Sequence, residues 1–178
     1  KTPHTEYLIK LLQQTGAHVA MLSRGYKRKS KGYVLATDET DVKRIGDEPY
    51  QIKTKFPDIR VAVDENRCHG IEQLMKLENP KVDVVLLDDA FQHRHVKAGL
   101  NILLTDFNRL FSDDTLLPAG HLREPEDGKN RAHIVIVTKC PEDIKPIDFN
   151  IITKRLKLYP YQQLYFSSFR YGALTSLF

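Results

Sequence analysis

The sequence predicts a three-layer α/β domain built on a mostly parallel central sheet, and three observations predict it. Short apolar runs rich in β-branched residues recur along the chain, and several, such as VVLL at 84–87, are continuous rather than alternating. Strands buried on both faces, as in parallel sheets, read this way. Amphipathic helical patterns lie between several of these runs, which is the arrangement of βαβ units. Polar and charged residues follow the ends of the runs, where open parallel sheets bind their ligands.

The elements follow in order. Residues 2–15 place Tyr7, Leu8, Leu11 and Leu12 on one helical face and stop at Gly16, a C′ residue. Strands are expected at 19–22, 33–36 and 59–63. Gly46-Asp47-Glu48-Pro49 opens a helix, with proline near its first position. A helix over 67–78 carries Ile71, Leu74 and Met75, and strands follow at 82–87 and 100–104. Residues 106–131, with Pro118, Gly120, Pro125 and Gly128, form a loop too long to be a mere connection, so it is functional or disordered. A strand at 133–137, a helix at 147–158 with Ile151, Ile152 and Leu156, and a strand at 164–166 complete the pattern.

Composition removes several classes. A chain of 178 residues with 41% hydrophobic content supports one proper core. Charged residues at 28% and a net charge of +4 exclude an acidic disordered tail, a collagen repeat and a low-complexity array. No apolar run approaches the roughly 20 residues that cross a bilayer. Cys68 and Cys140 form no CxxC pair, which fits reduced thiols in a cytosolic protein. Outside 24–31 the cations are balanced by carboxylates, which argues against a nucleic-acid surface.

Four constellations carry chemistry. Lys1-Thr2 before an amphipathic helix matches the last two residues of a phosphate loop, GxxxxGK[ST], and equally describes an ordinary lysine and a threonine cap. Asp88 and Asp89 end an apolar strand, where paired carboxylates suit the Mg²⁺ that bridges nucleotide phosphates. Asp47 reads first as a helix cap, and alternatively as the carboxylate that takes a proton from an acceptor hydroxyl. Residues 24–31, RGYKRKSK, hold five cations in eight positions, a solvated loop or a dock for a phosphorylated substrate or an anionic membrane. Two lesser signals are set aside. The His93–His95 pair lacks the further ligands of a zinc site. Thr138-Lys139-Cys140-Pro141 resembles the base-reading [NT]KxD element but has proline at the aspartate position, so guanine specificity is not supported.

Together these blocks resemble the tetraacyldisaccharide 4′-kinase family. The matching pieces are KTPHTEYL at 1–8, SRGYKRKSKGY at 23–33, GDEPYQI at 46–52, VDENR at 63–67, LLDDAFQHRHV at 86–96 and LLPAGHLREP at 116–125. The resemblance implies a P-loop NTPase-like kinase that uses ATP and Mg²⁺ to phosphorylate the 4′ hydroxyl of the lipid A disaccharide-1-phosphate precursor. It implies work at the cytoplasmic face of the inner membrane of a Gram-negative bacterium. The expected partners are the lipid-linked disaccharide and the anionic membrane surface, with no nucleic acid and a monomer favoured. Carried over by motif, Lys1 and Thr2 contact phosphate, and Thr2, Asp88 and Asp89 hold Mg²⁺. Asp47, with Glu48 beside it, is the catalytic carboxylate. Gln92 and His93 sense phosphate, Arg123 and Glu124 sit near nucleotide or lipid, and Arg24, Arg67, Lys27 and Arg28 meet the head group.

On that resemblance residues 1–178 are the core of a P-loop kinase domain truncated at both ends. The loop at about 106–131 is functional, and residues 139–178 open the second part of the kinase. The glycine-rich half of the phosphate loop, a membrane-binding N-terminal helix and a C-terminal His-containing segment are expected outside these residues. The fragment alone is therefore expected to be inactive. The alternative is a P-loop kinase or regulatory NTPase that acts on a soluble acceptor.

Overall fold

The computed structural model describes residues 2–170, so Lys1 lies outside the described residues. They fall into two units, one running to Lys97 and one from Ala98 onward. All seven expected strands form, and they divide between two sheets rather than joining one.

In the first unit, helix α1 (Thr2–Gln14) leads into strand β1 (Val19–Ser23), and β2 (Val34–Leu35) is a two-residue edge strand. Helices α2 (Val42–Ile45) and α3 (Asp47–Lys55) precede β3 (Arg60–Val63), α4 (Arg67–Met75) and β4 (Val84–Leu87). The sheet order is β2-β3-β1-β4. Strand β1 runs parallel to both β3 and β4, and only β2 is antiparallel. Parallel register sets Ser23 beside Val63 and Leu22 beside Leu87, so the residues after all three strands emerge at one edge.

The strand period of two sorts the core into two faces. Val19, Met21 and Val61 pack against Ile9 of α1, Ile52 of α3 and Phe56 just after α3. Ala20, Leu22 and Ala62 pack against Leu74 and Ile71 of α4. Helices on both faces make the three expected layers.

The second unit is a parallel sheet in the order β5-β6-β7: β5 (Ile102–Asp106), β6 (Ile134–Thr138) and β7 (Gln163–Phe166). Helix α5 (Pro146–Leu156) buries Ile152 and Leu156. Residues 139–166 continue this unit, because β7 pairs directly with β6, and the expected segment 139–178 runs on past the described residues at 171.

The differences from expectation have local causes. Helix α2 is one turn long, too short for a periodic signal, and is held by Asp41, whose side chain accepts the Arg44 N–H at 3.0 Å. Helix α4 stops at Met75 rather than residue 78, ahead of a Glu78–Lys81 bridge and a proline at 80. Helix α5 stops at Leu156, where Lys157 turns left-handed with φ 45°. The long segment 106–131 is ordered by two 3₁₀ turns, Phe111–Asp113 and Glu126–Arg131. Inside it Asp114 accepts the N–H groups of Thr115 and His121 at 2.9 and 3.1 Å.

Met21 has no exposed surface and stands at the centre of the face covered by α1 and α3. Met21→Ala is expected to lower unfolding free energy by about 2–5 kcal/mol, the range for large-to-small core truncations, as measured by urea denaturation.

Candidate active site

The carboxyl edge of the first sheet concentrates buried charge. Asp64, Arg67 and Asp88 are 2%, 5% and 6% exposed, and charges this buried persist only when partnered. Asp88 extends β4 by one residue, its N–H donating to Leu22 O at 3.3 Å. Its Oδ1 accepts the Thr5 hydroxyl at 3.3 Å and the Asp89 N–H at 2.9 Å. Thr5 is one turn along α1 from Thr2, so this bond ties the first turns of α1 to the acidic pair. Asp89 has φ 47°, a left-handed conformation rare for residues other than glycine, and is exposed.

After β3, Asp64 organises the start of α4. Its Oδ1 accepts the Asn66 N–H at 2.9 Å, and its Oδ2 lies 2.7 Å from His69 Nδ1. Asn66 caps the helix by accepting the His69 N–H. The Tyr33 ring meets His69 edge-on, with centroids 6.2 Å apart. Arg67 donates from Nη1 to Asp64 O at 2.6 Å. Its Nε is buried and has no hydrogen-bond partner among the described residues, and the same holds for His93 Nε2.

Electrostatics bind this set together. Burial lowers the Arg67 pKa, and Arg24 lowers it further while Asp64, Asp88 and Asp89 oppose the shift. Burial also holds His93 below its ordinary value of 6.5, with Arg67, His95 and Arg24 adding to the effect. Arg24 and Arg67 therefore set a positive field beside the carboxylates, and the His93 imidazole within it is biased toward its neutral form. An open cavity of about 560 Å³, bordered by Glu65, Asn66, Cys68, His93 and His95, adjoins it.

Asp47 reaches this region through the loop after β1. Gly46, with φ 91°, caps α3, so Asp47 is the first helical residue rather than the cap, and Glu48 follows in the first turn. A Cβ on Gly46 would lie 2.9 Å from Tyr26 O, and one on Gly25 would lie 2.9 Å from Ile45 O. Two facing glycines let the 24–26 loop lie against the start of α3. Asp47 and Glu48 are both exposed there.

The sequence-predicted residues separate by unit. Arg24, Arg67, Asp88, Asp89 and His93 interact in the first unit, and Gln92 stands beside His93 in the chain. Arg24 and Lys27 are exposed, whereas the Arg28 guanidinium is turned inward, 3% exposed and 2.7 Å from Glu65. Glu65 is held below the usual carboxylate range chiefly by a backbone N–H, with Arg28 contributing. Arg123 and Glu124 belong to the second unit, where both Glu124 oxygens accept from Arg131 at 2.7 Å. At that sheet's carboxyl edge Lys139, left-handed at φ 59°, pairs with Asp106 at 2.6 Å, a bond that lowers the Asp106 pKa.

Sequence reasoning missed Thr5 and the Asp64–His69 and Glu65–Arg28 pairs. Thr5 was signalled only by its i+3 spacing from Thr2, and the pairs join segments whose contact no spacing reveals.

The donor chemistry suits nucleotide binding. Carboxylates at Asp88 and Asp89 with the Thr2 hydroxyl are the hard oxygen ligands that Mg²⁺ takes, alongside water and phosphate. The orphaned donor on Arg67 suits an anionic oxygen. Among the described residues no group of three or more His, Cys, Asp or Glu side chains is set to hold a metal unaided.

Comparison with known proteins gives one answer. The family model for tetraacyldisaccharide-1-P 4′-kinase (LpxK) matches residues 1–170. A tetraacyldisaccharide 4′-kinase of Bacteroides fragilis is 74% identical over the whole chain, and that of Phocaeicola vulgatus is 65% identical. The chain spans about half of these relatives, 47% and 49% of their lengths. The crystal structure of the apo form of LpxK from Aquifex aeolicus in complex with ATP superposes with a TM-score of 0.70 at 34% identity. It covers 92% of this chain and 48% of its own.

His93 provides a test of the positive field at this edge. Removing a neighbouring positive charge favours imidazolium, so Arg67→Gln is expected to raise the His93 pKa toward 6.5, read by NMR titration of the ring. Because the folded state binds this proton less readily than the unfolded chain, the stability present above about pH 6.5 is lost as the pH falls below that value toward the lowered folded pKa.

Proposed function

This chain belongs to the tetraacyldisaccharide-1-P 4′-kinase family, and on that premise we propose that its first unit is the catalytic body of an ATP-dependent lipid kinase. The reaction is transfer of the ATP γ-phosphoryl group to the 4′ hydroxyl of a lipid-linked disaccharide-1-phosphate. The observation that carries this reading is that buried Asp88 and buried Arg67, with Arg24 and His93 beside Arg67, gather at one sheet edge.

The residues divide the work. The 4′ oxygen attacks the γ-phosphorus, the bond to the β-phosphate bridging oxygen breaks, and ADP leaves. Asp47 takes the proton from the attacking hydroxyl, with Glu48 beside it on the first turn of α3. Arg67, His93 and Gln92 face the transferring phosphoryl oxygens, whose charge spreads through the transition state. By motif, Thr2 and Lys1, the latter outside the described residues, are assigned to the nucleotide phosphates. Thr2, Asp88 and Asp89 would hold Mg²⁺, which would supply positive charge beside the nucleotide phosphates. Arg123 and Glu124 contribute to the nucleotide or lipid side. Arg24 and Lys27 meet the head-group phosphate.

The exposed Tyr26 and its neighbouring lysines support an approach to the anionic inner-membrane surface from the cytoplasmic face, an aromatic and basic combination suited to headgroups. No helix among the described residues is long and apolar enough to cross a membrane.

In the full-length protein, Asp47→Asn is expected to lower kcat by about 10²–10⁴-fold, the span of general-base contributions, with the thermal melting point unchanged. Release of ³²P from labelled ATP onto the disaccharide measures it. Retained activity overturns the base assignment. ATP hydrolysis that proceeds without the lipid acceptor, and does not rise when it is added, favours a soluble acceptor or water.

A further inference from the structure

The basic loop after β1 has an internal lock. Arg28 lies in its middle, and the guanidinium is almost fully buried although Lys27, Lys29 and Lys31 around it are exposed. Its Nη2 donates to Gly32 O at 2.7 Å and lies 2.7 Å from Glu65 Oε1, and its Nη1 donates to Ser30 Oγ at 3.2 Å. Glu65 Oε2 also accepts the Gly32 N–H at 3.0 Å. One carboxylate from the end of β3 therefore grips the loop at its centre and at its far end. The grip is reinforced by the Lys29 N–H donating to Lys43 O at 2.8 Å and by the Ser30 hydroxyl donating to Arg44 O. The arginine stem lies over Gly25, its Cδ 2.4 Å from where a Cβ there would stand.

We infer that Glu65 and Arg28 are positioning residues, whose ion pair fixes the 24–32 loop in the shape that presents Arg24, Lys27, Lys29 and Lys31 to the anionic acceptor. The inference rests on the kinase reading for the identity of that acceptor and on the structure alone for the lock. Four exposed cations on one short loop repel each other, and ordering their long side chains carries an entropic cost. A loop left to itself would meet that cost on binding. Neutralising the central arginine inside the protein removes one repelling charge and converts it into an anchor. Binding then begins from an ordered cationic surface. Arg28, grouped with Lys27 by sequence, does this work facing inward, and neither partner of the pair touches the acceptor.

Two measurements on the full-length protein test this. Limited trypsin digestion reads the loop without any acceptor. Glu65→Ala is expected to speed cleavage after Lys27, Lys29 and Lys31 by about tenfold, in line with loss of a hydrogen bond to a charged group, and to leave other sites unchanged. Steady-state kinetics read the consequence. Glu65→Ala is expected to raise KM for the disaccharide about tenfold, with kcat and the KM for ATP unchanged, since a charge-assisted contact is lost only on the acceptor side. Glu65→Gln, which keeps an oxygen for the Gly32 N–H, should recover part of the loss. The Glu65→Ala/Arg28→Met double variant should be no worse than the more severe single change, because both act through one bond. An unchanged trypsin pattern overturns the lock. A fall in kcat, a shift in the KM for ATP or additive effects overturn the positioning role. A wild-type protein that fails to turn over the disaccharide refutes the kinase reading instead, and the trypsin result then still decides the lock.

Discussion

Three charges buried side by side at the end of a parallel sheet set the terms for the first unit. Asp64, Arg67 and Asp88 would each be intolerable alone in so dry a setting, and each is held by the chain itself. Asp64 takes an N–H and an imidazole, Asp88 takes an N–H and a hydroxyl, and Arg67 donates to the backbone carbonyl of Asp64. The balance is deliberately incomplete in its geometry: Arg67 Nε and His93 Nε2 are buried without partners. Each is a buried polar atom with capacity for one further hydrogen bond.

The rest of the unit is arranged around that edge. Parallel register carries the ends of β1, β3 and β4 to it, and alternating burial on the strands lets α1 and α3 cover one face and α4 the other. Facing glycines at 25 and 46 bring the loop after β1 against the start of α3, which sets Asp47 beside the basic segment. The Glu65–Arg28 pair then gives that segment a single shape. Charged groups thus reach this edge from three strand ends, Arg24 after β1, Arg67 after β3, and Asp88 and Asp89 after β4.

The second unit shows the same economy on a smaller sheet. Its long segment before β6, which composition alone marks as loop, is held by Asp114 and by the Glu124–Arg131 pair. Lys129 buries its ammonium against Glu126 and Leu156 O, 2.7 and 2.8 Å away. Polar side chains supply the order here that a continuous hydrophobic pattern supplies in the first unit.

Much of this was legible in the amino-acid sequence. Strand positions, the α/β class and the acidic pair at 88–89 follow from local rules, because side-chain period and strand-end chemistry are properties of neighbouring residues. The blocks at 23–33, 46–52 and 86–96 likewise announced the family. Only the tertiary structure decided how these parts are used. It divided the strands into two sheets, a matter of pairing between distant segments that periodicity cannot encode. It turned Arg28 inward while leaving Lys27 outside, although the two are adjacent and equally charged. It joined Thr5 to Asp88 across 83 positions and made Asp64 the organiser of α4. Sequence determines which groups can carry charge. The partner that makes burying a charge tolerable comes from elsewhere in the chain, and so the choice between ligand contact and internal anchor belongs to the fold.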